Sequence, residues 1–314
     1  MRADRLLRKC GNCRAGFSRP RQPKAGPTWL LRKHCAGLLL SMTLILAGCG
    51  STPQPPEPQR LRAALEAESE GAKRYQRGDY AFAARRFDEA VRLYAAIDDS
   101  AGSGRNRLHL ARSELALGRA EAALLVLATA AGSADAGLAL DILLLQAQAQ
   151  LALARDAEAQ QNLAAATSLC AGSCAQAASL QLLLARAALA ARDAAGALAH
   201  AETALKLLQG KDAAHETGNA WRLVAAARLA AGDAAGALPA AQAALDIDRR
   251  LALPEKIAGD WLLIGDIRRK VGAGDTAAAY RRALAVADAA GLIQISMMAT
   301  QALKDIGMEK KPAR

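Results

Sequence analysis

The chain has 314 residues, 52% of them hydrophobic but only 3% aromatic, with 41 Lys/Arg against 30 Asp/Glu. The apolar content is mostly alanine and leucine, both strong helix formers, so the composition excludes a β-rich fold and predicts closely packed helices. The net charge of +11 suggests nucleic acid only until it is mapped: ten of the basic residues lie in 1–48 against Asp4 alone, leaving 31 basic and 29 acidic residues in 49–314. A body so close to neutral lacks the footprint of a polyanion binder, and no nucleic-acid partner is expected.

In chain order, Arg32, Lys33 and His34 precede an apolar run over 36–47, "AGLLLSMTLILA". A basic start, an apolar run and small residues before a cut describe a secretory signal, and the run is shorter than the about 20 residues of a membrane-spanning helix. The ending "LAGC" at 46–49 resembles the lipobox of bacterial lipoproteins. That resemblance implies a leader over 1–48 that is removed, leaving Cys49 as the first residue of the mature chain. By the same resemblance, the Cys49 thiol is expected to take a diacylglyceryl group and its freed amine a further palmitate-type chain. Two or more chains hold a bilayer stably where one is marginal, so the membrane is met through this anchor, and no cofactor besides the lipid on Cys49 is expected. Gram-negative lipoproteins retained at the inner membrane often carry Asp after the cysteine, so with Gly50 there the resemblance implies the bacterial outer membrane, facing the periplasm. Residues 1–30 carry "CGNC" at 10–13 with no second pair or βαβ pattern, and fit an over-extended reading frame starting upstream of the true start near Leu30 or Leu31. Pro53, Pro55, Pro56 and Pro58 favour an extended conformation, making 49–62 a semi-rigid tether.

Residues 63–307 read as a repeat. The clearest unit, "GAKRYQRGDYAFAARRFDEAVRLY" at 71–94, has a small residue, a "GDY" turn and then Ala83-x₃-Phe87-x₂-Ala90. The last pattern returns from Ala123, Ala159, Ala197 and Ala237, and imperfectly as Thr276, Tyr280 and Ala283. First-helix signatures stand at "WRLVA", 221–225, and "WLLIG", 261–265. The unit resembles the tetratricopeptide repeat (TPR). That resemblance implies an all-α chain, a right-handed α-solenoid of about six TPR-like helix pairs, with a C-terminal capping helix over 290–307 and a basic tail over 308–314. The crossings lie 36 to 40 residues apart against the usual 34, so either the loops are longer or the helices gain a turn. Asp79, Asp156, Asp193, Asp233 and Asp275 follow the turns as expected N-caps of second helices, and Pro239 predicts a kink or a late helix start.

No chemistry-bearing motif emerges from the body. His109, His200 and His215 lack metal-ligand spacing, and no H-E-x-x-H, P-loop, G-x-S-x-G or dinucleotide fingerprint occurs, so neither a metal nor an enzyme activity is expected. Cys170 and Cys174, in "CAGSC", allow two readings: a disulfide staple between the third and fourth pairs, or a redox-active pair. In tetratricopeptide proteins the first helix of each pair lines a concave groove. Phasing on the turns puts Arg105, Leu108, Arg112 and Leu115 there from the second pair, and Leu182, Arg186 and Leu189 from the fourth. Arg222 and Leu229 follow from the fifth, and Asp266 and Arg269 from the sixth. Leu mixed with Arg suits a protein or peptide partner with apolar anchors and acidic groups. The resulting expectation is a lipid-anchored scaffold or adaptor in an envelope complex serving outer-membrane assembly, pilus or secretion assembly, or cell-wall enzyme regulation. A cytosolic TPR regulator with a spurious leader, and a thiol-exchange protein using Cys170 and Cys174, stay open beside it.

Overall fold

A computed structural model describes residues 58–131, 136–171, 174–272 and 274–309. The leader, Cys49, the tether as far as residue 57 and the last residues of the basic tail lie outside them. Among the described residues there are thirteen helices and no strand. They are α1 (Gln59–Gln76), α2 (Tyr80–Ala95), α3 (Ser100–Ala116), α4 (Ala120–Ala131), α5 (Ala136–Ala152), α6 (Asp156–Cys170), α7 (Ala177–Ala190), α8 (Ala194–Leu208), α9 (Ala214–Ala230), α10 (Ala234–Arg250), α11 (Pro254–Val271), α12 (Thr276–Ala289) and α13 (Ile293–Glu309). Helix α1 opens at Gln59, after the exposed Pro58, rather than at 63, because the residues after the last proline no longer oppose a helix.

The small-residue pattern builds the pairs. Ala83, Phe87 and Ala90 are fully buried, as are their counterparts Ala123, Leu127 and Ala130, then Ala159, Leu163 and Ala166. The fourth and fifth copies are all alanine, Ala197, Ala201, Ala204 and Ala237, Ala241, Ala244, and each is buried without remainder. Alanine removes little area from water, so these crossings stabilise through close approach repeated many times. A buried Phe87 or Leu127 contributes about 1.5–3 kcal/mol on its own. Each helix packs on the next, and the odd-numbered helices from α3 to α13 also pack on one another in sequence. No comparable even-to-even packing occurs among the described residues. The odd helices therefore form a continuous inner layer with the even helices splayed outside it, a solenoid of six pairs closed by α13.

Asp79, Asp193, Asp233 and Asp275 cap their second helices, accepting from Phe82, Gly196, Gly236 and Ala278 N–H groups at 2.8–3.3 Å. Asp156 does not. In the third pair the left-handed turn residue is Ala154 (φ 54°), so Arg155 takes the cap position and Asp156 is the first helical residue. There it still complements the positive end of the helix dipole. Asp99 is a cap absent from the expectations, accepting from Gly102 N–H at 2.7 Å to open α3. Pro239 lies inside α10, which starts at Ala234 without delay, and the Arg228 guanidinium donates to the nearby Gly236 carbonyl at 3.0 Å. The long repeat period comes from helix length in the fifth pair, where both helices have 17 residues.

Helix α13 lays Ile295, Ala299, Leu303 and Ile306 on the last core cluster, whose largest members are Trp261, Ile264, Ile267 and Tyr280. No described helix is long and apolar enough to cross a membrane.

Candidate peptide-binding groove

The inner layer is where residues of several repeats meet on one open face. At its N-terminal end, Arg112 of α3 pairs with Asp141 of α5 at 3.2 Å, tying the second pair to the third. His109, one turn before Arg112, stacks on the Phe87 ring with centroids 5.1 Å apart. Burial, and then the Arg112 charge, hold the His109 pKa below its ordinary value, so the imidazole is neutral at pH 7. Burial likewise raises the phenol of Tyr75, on α1. Arg105 is exposed and makes no ion pair with a described residue.

Toward the C-terminal end, Arg222 of α9 gathers three partners. Its Nε donates to Asp260 Oδ1 at 2.6 Å, one Nη to Asp248, and the other to Asn219 Oδ1 at 2.8 Å. Asp248 of α10 and Asp260 of α11 are 1% and 0% exposed. One guanidinium thus serves two buried carboxylates, and burial, with Asp248 beside it, pushes the Asp260 pKa up to about 6 despite the opposing Arg222 charge. Arg186 of α7 is an exposed residue, and desolvation by the protein near its guanidinium lowers its pKa from the ordinary value. The Lys256 pKa, on α11, is lowered by burial and then by the Arg222 charge, with Glu255 opposing.

The other residues picked from the sequence divide into two groups. Leu115, Leu189 and Leu229 are half-buried on the odd helices. Leu108 and Leu182 do not line an open groove. They are 3% and 9% exposed and belong to the seams with neighbouring helices, Leu108 against Ala123, Leu127 and Ile142, and Leu182 against Ala204, Leu208 and Ala220. Their phase on the helix points between layers rather than out of the inner one. Asp266 accepts from the Tyr280 hydroxyl at 2.6 Å and lies 4.0 Å from Arg269, so it is engaged at the junction with α12. Asp141, Asp248, Lys256 and Asp260 lie outside the residues that phasing on the turns indicates. Asp248 and Asp260 carry a signal, each being a charge at a position whose helical phase is otherwise apolar.

Cys170 and Cys174 form a disulfide, S–S 2.04 Å, at the end of α6. Cys170 packs among Leu144, Leu163, Leu180 and Leu183, while Cys174 is partly open. Among the described residues no group of His, Cys, Asp and Glu has the arrangement of a metal site.

No protein-family model matches the chain, and no curated protein matches it. Solved structures do. The apo form of RapI aligns at 13% identity and TM-score 0.57, covering 79% of this chain and 71% of that one. Cut9, from the APC/C hetero-tetramer Cut9–Hcn1, aligns at 17% identity and TM-score 0.57, over 78% of this chain and 46% of that one. Aspartyl phosphate phosphatase F from Bacillus subtilis aligns at 14% identity and TM-score 0.51, over 88% and 79%. At these identities the likeness is one of fold, and the fold of this chain is an all-α, tetratricopeptide-like helical-repeat solenoid.

Proposed function

We propose that the chain is a protein-binding scaffold of the bacterial envelope, anchored in the outer membrane through lipid on Cys49 and holding a partner along its inner helix layer. The observation that carries the binding role is the continuous layer of odd helices, which offers half-buried Leu115, Leu189 and Leu229 beside cationic Arg105 and Arg186. Apolar anchors interleaved with cations suit a peptide or protein surface with acidic groups. Cut9, a fold neighbour, was itself solved in a complex with a second protein, Hcn1, which supports the same use of the fold. A disulfide supports an oxidising compartment and therefore the envelope over the cytosol. It also supports a staple over thiol exchange, since one of its sulfurs is packed in the core.

Two measurements test the two halves. A photo-crosslinking residue at Leu189 or Leu115 of the full chain recovers a defined partner protein, while one at exposed Leu125 on α4 does not; equal recovery from both positions removes the groove. Metabolic labelling with an alkynyl fatty acid marks the wild type and not Cys49→Ser. An unlabelled wild type removes the anchor, and with it the envelope reading over the cytosolic one.

A further inference from the structure

Three helices meet over one guanidinium. Arg222 of α9 holds Asp260 of α11 through Nε at 2.6 Å, and one Nη nitrogen serves Asp248 of α10 while lying 3.5 Å from the second Asp260 oxygen. The two carboxyl groups thus converge on a single nitrogen, and they are close enough to hydrogen-bond each other. A hydrogen bond between two carboxyl groups needs a proton on one of them, because two carboxylates only accept. Burial asks for the same proton. Asp248 and Asp260 are 1% and 0% exposed, so with both ionised one cation faces two buried anions and the excess charge has no water around it. Gly218 of α9 closes the side of Asp248, whose Oδ1 would stand 3.0 Å from a β-carbon there. Lys256, one turn before Asp260, feels the Asp248 charge but pairs with neither acid. The remaining charges on the packed helices are placed otherwise. Arg249 of α10 and Arg282 of α12 lie over the Trp261 ring at 5.1 and 4.7 Å, Glu255 is exposed, and α13 has no charged residue before Lys304. His215 of α9 reaches the cluster only through Asn219, whose Nδ2 is 3.4 Å from its Nδ1 and whose Oδ1 accepts from Arg222 at 2.8 Å.

We propose that Arg222, Asp248 and Asp260 form a proton-operated joint between the fifth and sixth helix pairs. With one proton shared between the two carboxyl groups, α9, α10 and α11 stay closed on Arg222. Loss of that proton sets two buried anions face to face, and α11 parts from α10 until water reaches them. The two acids flank the connection between the pairs, residues 251–253, where Ala252 stands in the left-handed region at φ 52°. Arg222 also ties α9 directly to α11, two helices that adjoin only slightly. The rest of the C-terminal end moves with α11, since α12 packs on α11 and α13 on α12. Burial holds the Asp260 pKa at about 6, which puts the change between pH 5 and pH 7, closed on the acid side. Helices α9 and α11 belong to the inner layer, so what the joint regulates rests on that layer being the binding face; the joint itself does not.

The test is hydrogen exchange of the full chain at pH 5 and pH 7, with rates corrected for the intrinsic pH dependence of amide exchange. A carboxyl group of pKa about 6 when closed and 3.8 when open makes opening about tenfold easier at pH 7 than at pH 5. Amides of α11–α13 are therefore expected to lose about tenfold in protection over that range, while those of α1–α4 change little. Asp260→Asn and Asp248→Asn each keep the shape and leave Arg222 one anion, so either variant holds its α11–α13 protection constant with pH. His215→Gln, at the exposed end of the Asn219 link, keeps the full change. Circular dichroism checks that each variant is folded. Carbon-13 NMR of labelled aspartate in the wild type reads the proton directly and is independent of the variants: one carboxyl is expected to titrate near pH 6, well above an exposed aspartate. Protection that is flat with pH, a change that survives in the Asn variants or disappears in His215→Gln, a loss spread equally over α1–α4, or a wild type whose aspartates all titrate below pH 5 overturns the joint. If exchange is flat with pH while crosslinks at Leu189 still recover a partner, the binding face stands without a joint. The expected change in protection with no crosslinked partner upholds the joint and removes the binding role.

Discussion

Gly265 lies so close beneath the Tyr280 ring that a β-carbon there would stand 2.3 Å from Cε1. The glycine lets α11 and α12 approach until the Tyr280 hydroxyl reaches Asp266 at 2.6 Å, and burial raises that phenol further out of its titration range. The first pair uses the same device, with Gly71 under the Phe87 ring, where a β-carbon would meet Cε1 at 2.8 Å. Gly265→Ala is therefore expected to lower stability by about 1–3 kcal/mol through overpacking, a loss that outweighs the about 1 kcal/mol alanine gains in helix propensity. Gly259→Ala, on the same helix but facing open space, shows the propensity gain alone. Urea denaturation of the two variants decides the point. If both are stabilised, the α11–α12 crossing is not close-packed as described.

What could be read from the sequence follows from the range of each interaction. The Ala-x₃-Phe/Leu/Ala-x₂-Ala pattern is local to one helix, so it placed every second helix, and the Asp after each turn placed most caps. Asp156 slipped because the third turn closes one residue earlier, at Ala154, in a left-handed conformation that alanine rarely takes and that no local signal announced. Leu108 and Leu182 were misplaced because a phase counted from the turn cannot tell an open inner face from the seam between two pairs. The Arg112–Asp141 and Arg222–Asp260 pairs join residues 29 and 38 apart, across repeats of unequal length. Their register depends on how the pairs stack, which the sequence does not state.

The paired carboxylates on Arg222 have a pH signature. The Asp260 pKa rises from 3.8 to about 6, chiefly by burial, so the folded state holds this proton more tightly than the unfolded chain does. Between those two values its contribution favours folding at the lower pH, and that contribution is lost as pH rises through about 6. Asp260→Asn removes the titration and keeps an acceptor for Arg222. The variant should therefore gain stability relative to wild type as pH is raised from about 5 to about 7. Taking the difference between the two proteins cancels the other carboxylates, and a difference that is flat with pH means that Asp260 is ionised throughout.

Arg192 occupies the left-handed turn position of the fourth pair, φ 61°, where the first, second and fifth pairs have Gly78, Gly118 and Gly232. It is exposed and makes no ion pair with a described residue. A side chain in that region costs about 1–2 kcal/mol, part of which a glycine returns to the flexibility of the unfolded chain. Arg192→Gly should raise stability by about 0.5–1 kcal/mol, read as a higher urea midpoint at unchanged slope. Arg192→Ala keeps the strain and should give none of that gain. A glycine variant no more stable than the alanine variant shows that the turn is relaxed with a side chain in place.

Cys170 and Cys174 are four residues apart, so their bond closes one of the smallest loops a disulfide spans. In the chain-entropy account a loop of that size contributes about 2 kcal/mol, well below what a bond between distant repeats would give. Reduction should therefore lower the melting temperature modestly and leave the helical circular dichroism in place, with the loss concentrated where α6 meets α7. Hydrogen exchange resolves this: amides at the end of α6 and the start of α7 lose protection on reduction, while those of α1–α4 and α11–α13 keep theirs. The buried Cys170 sulfur adds a kinetic expectation, since an attacking thiolate reaches only the partly open Cys174 side. Glutathione should reduce the native protein far more slowly than the urea-unfolded chain. Equal rates in the two states would mean the bond is poised for exchange, and the staple reading would give way to a redox role.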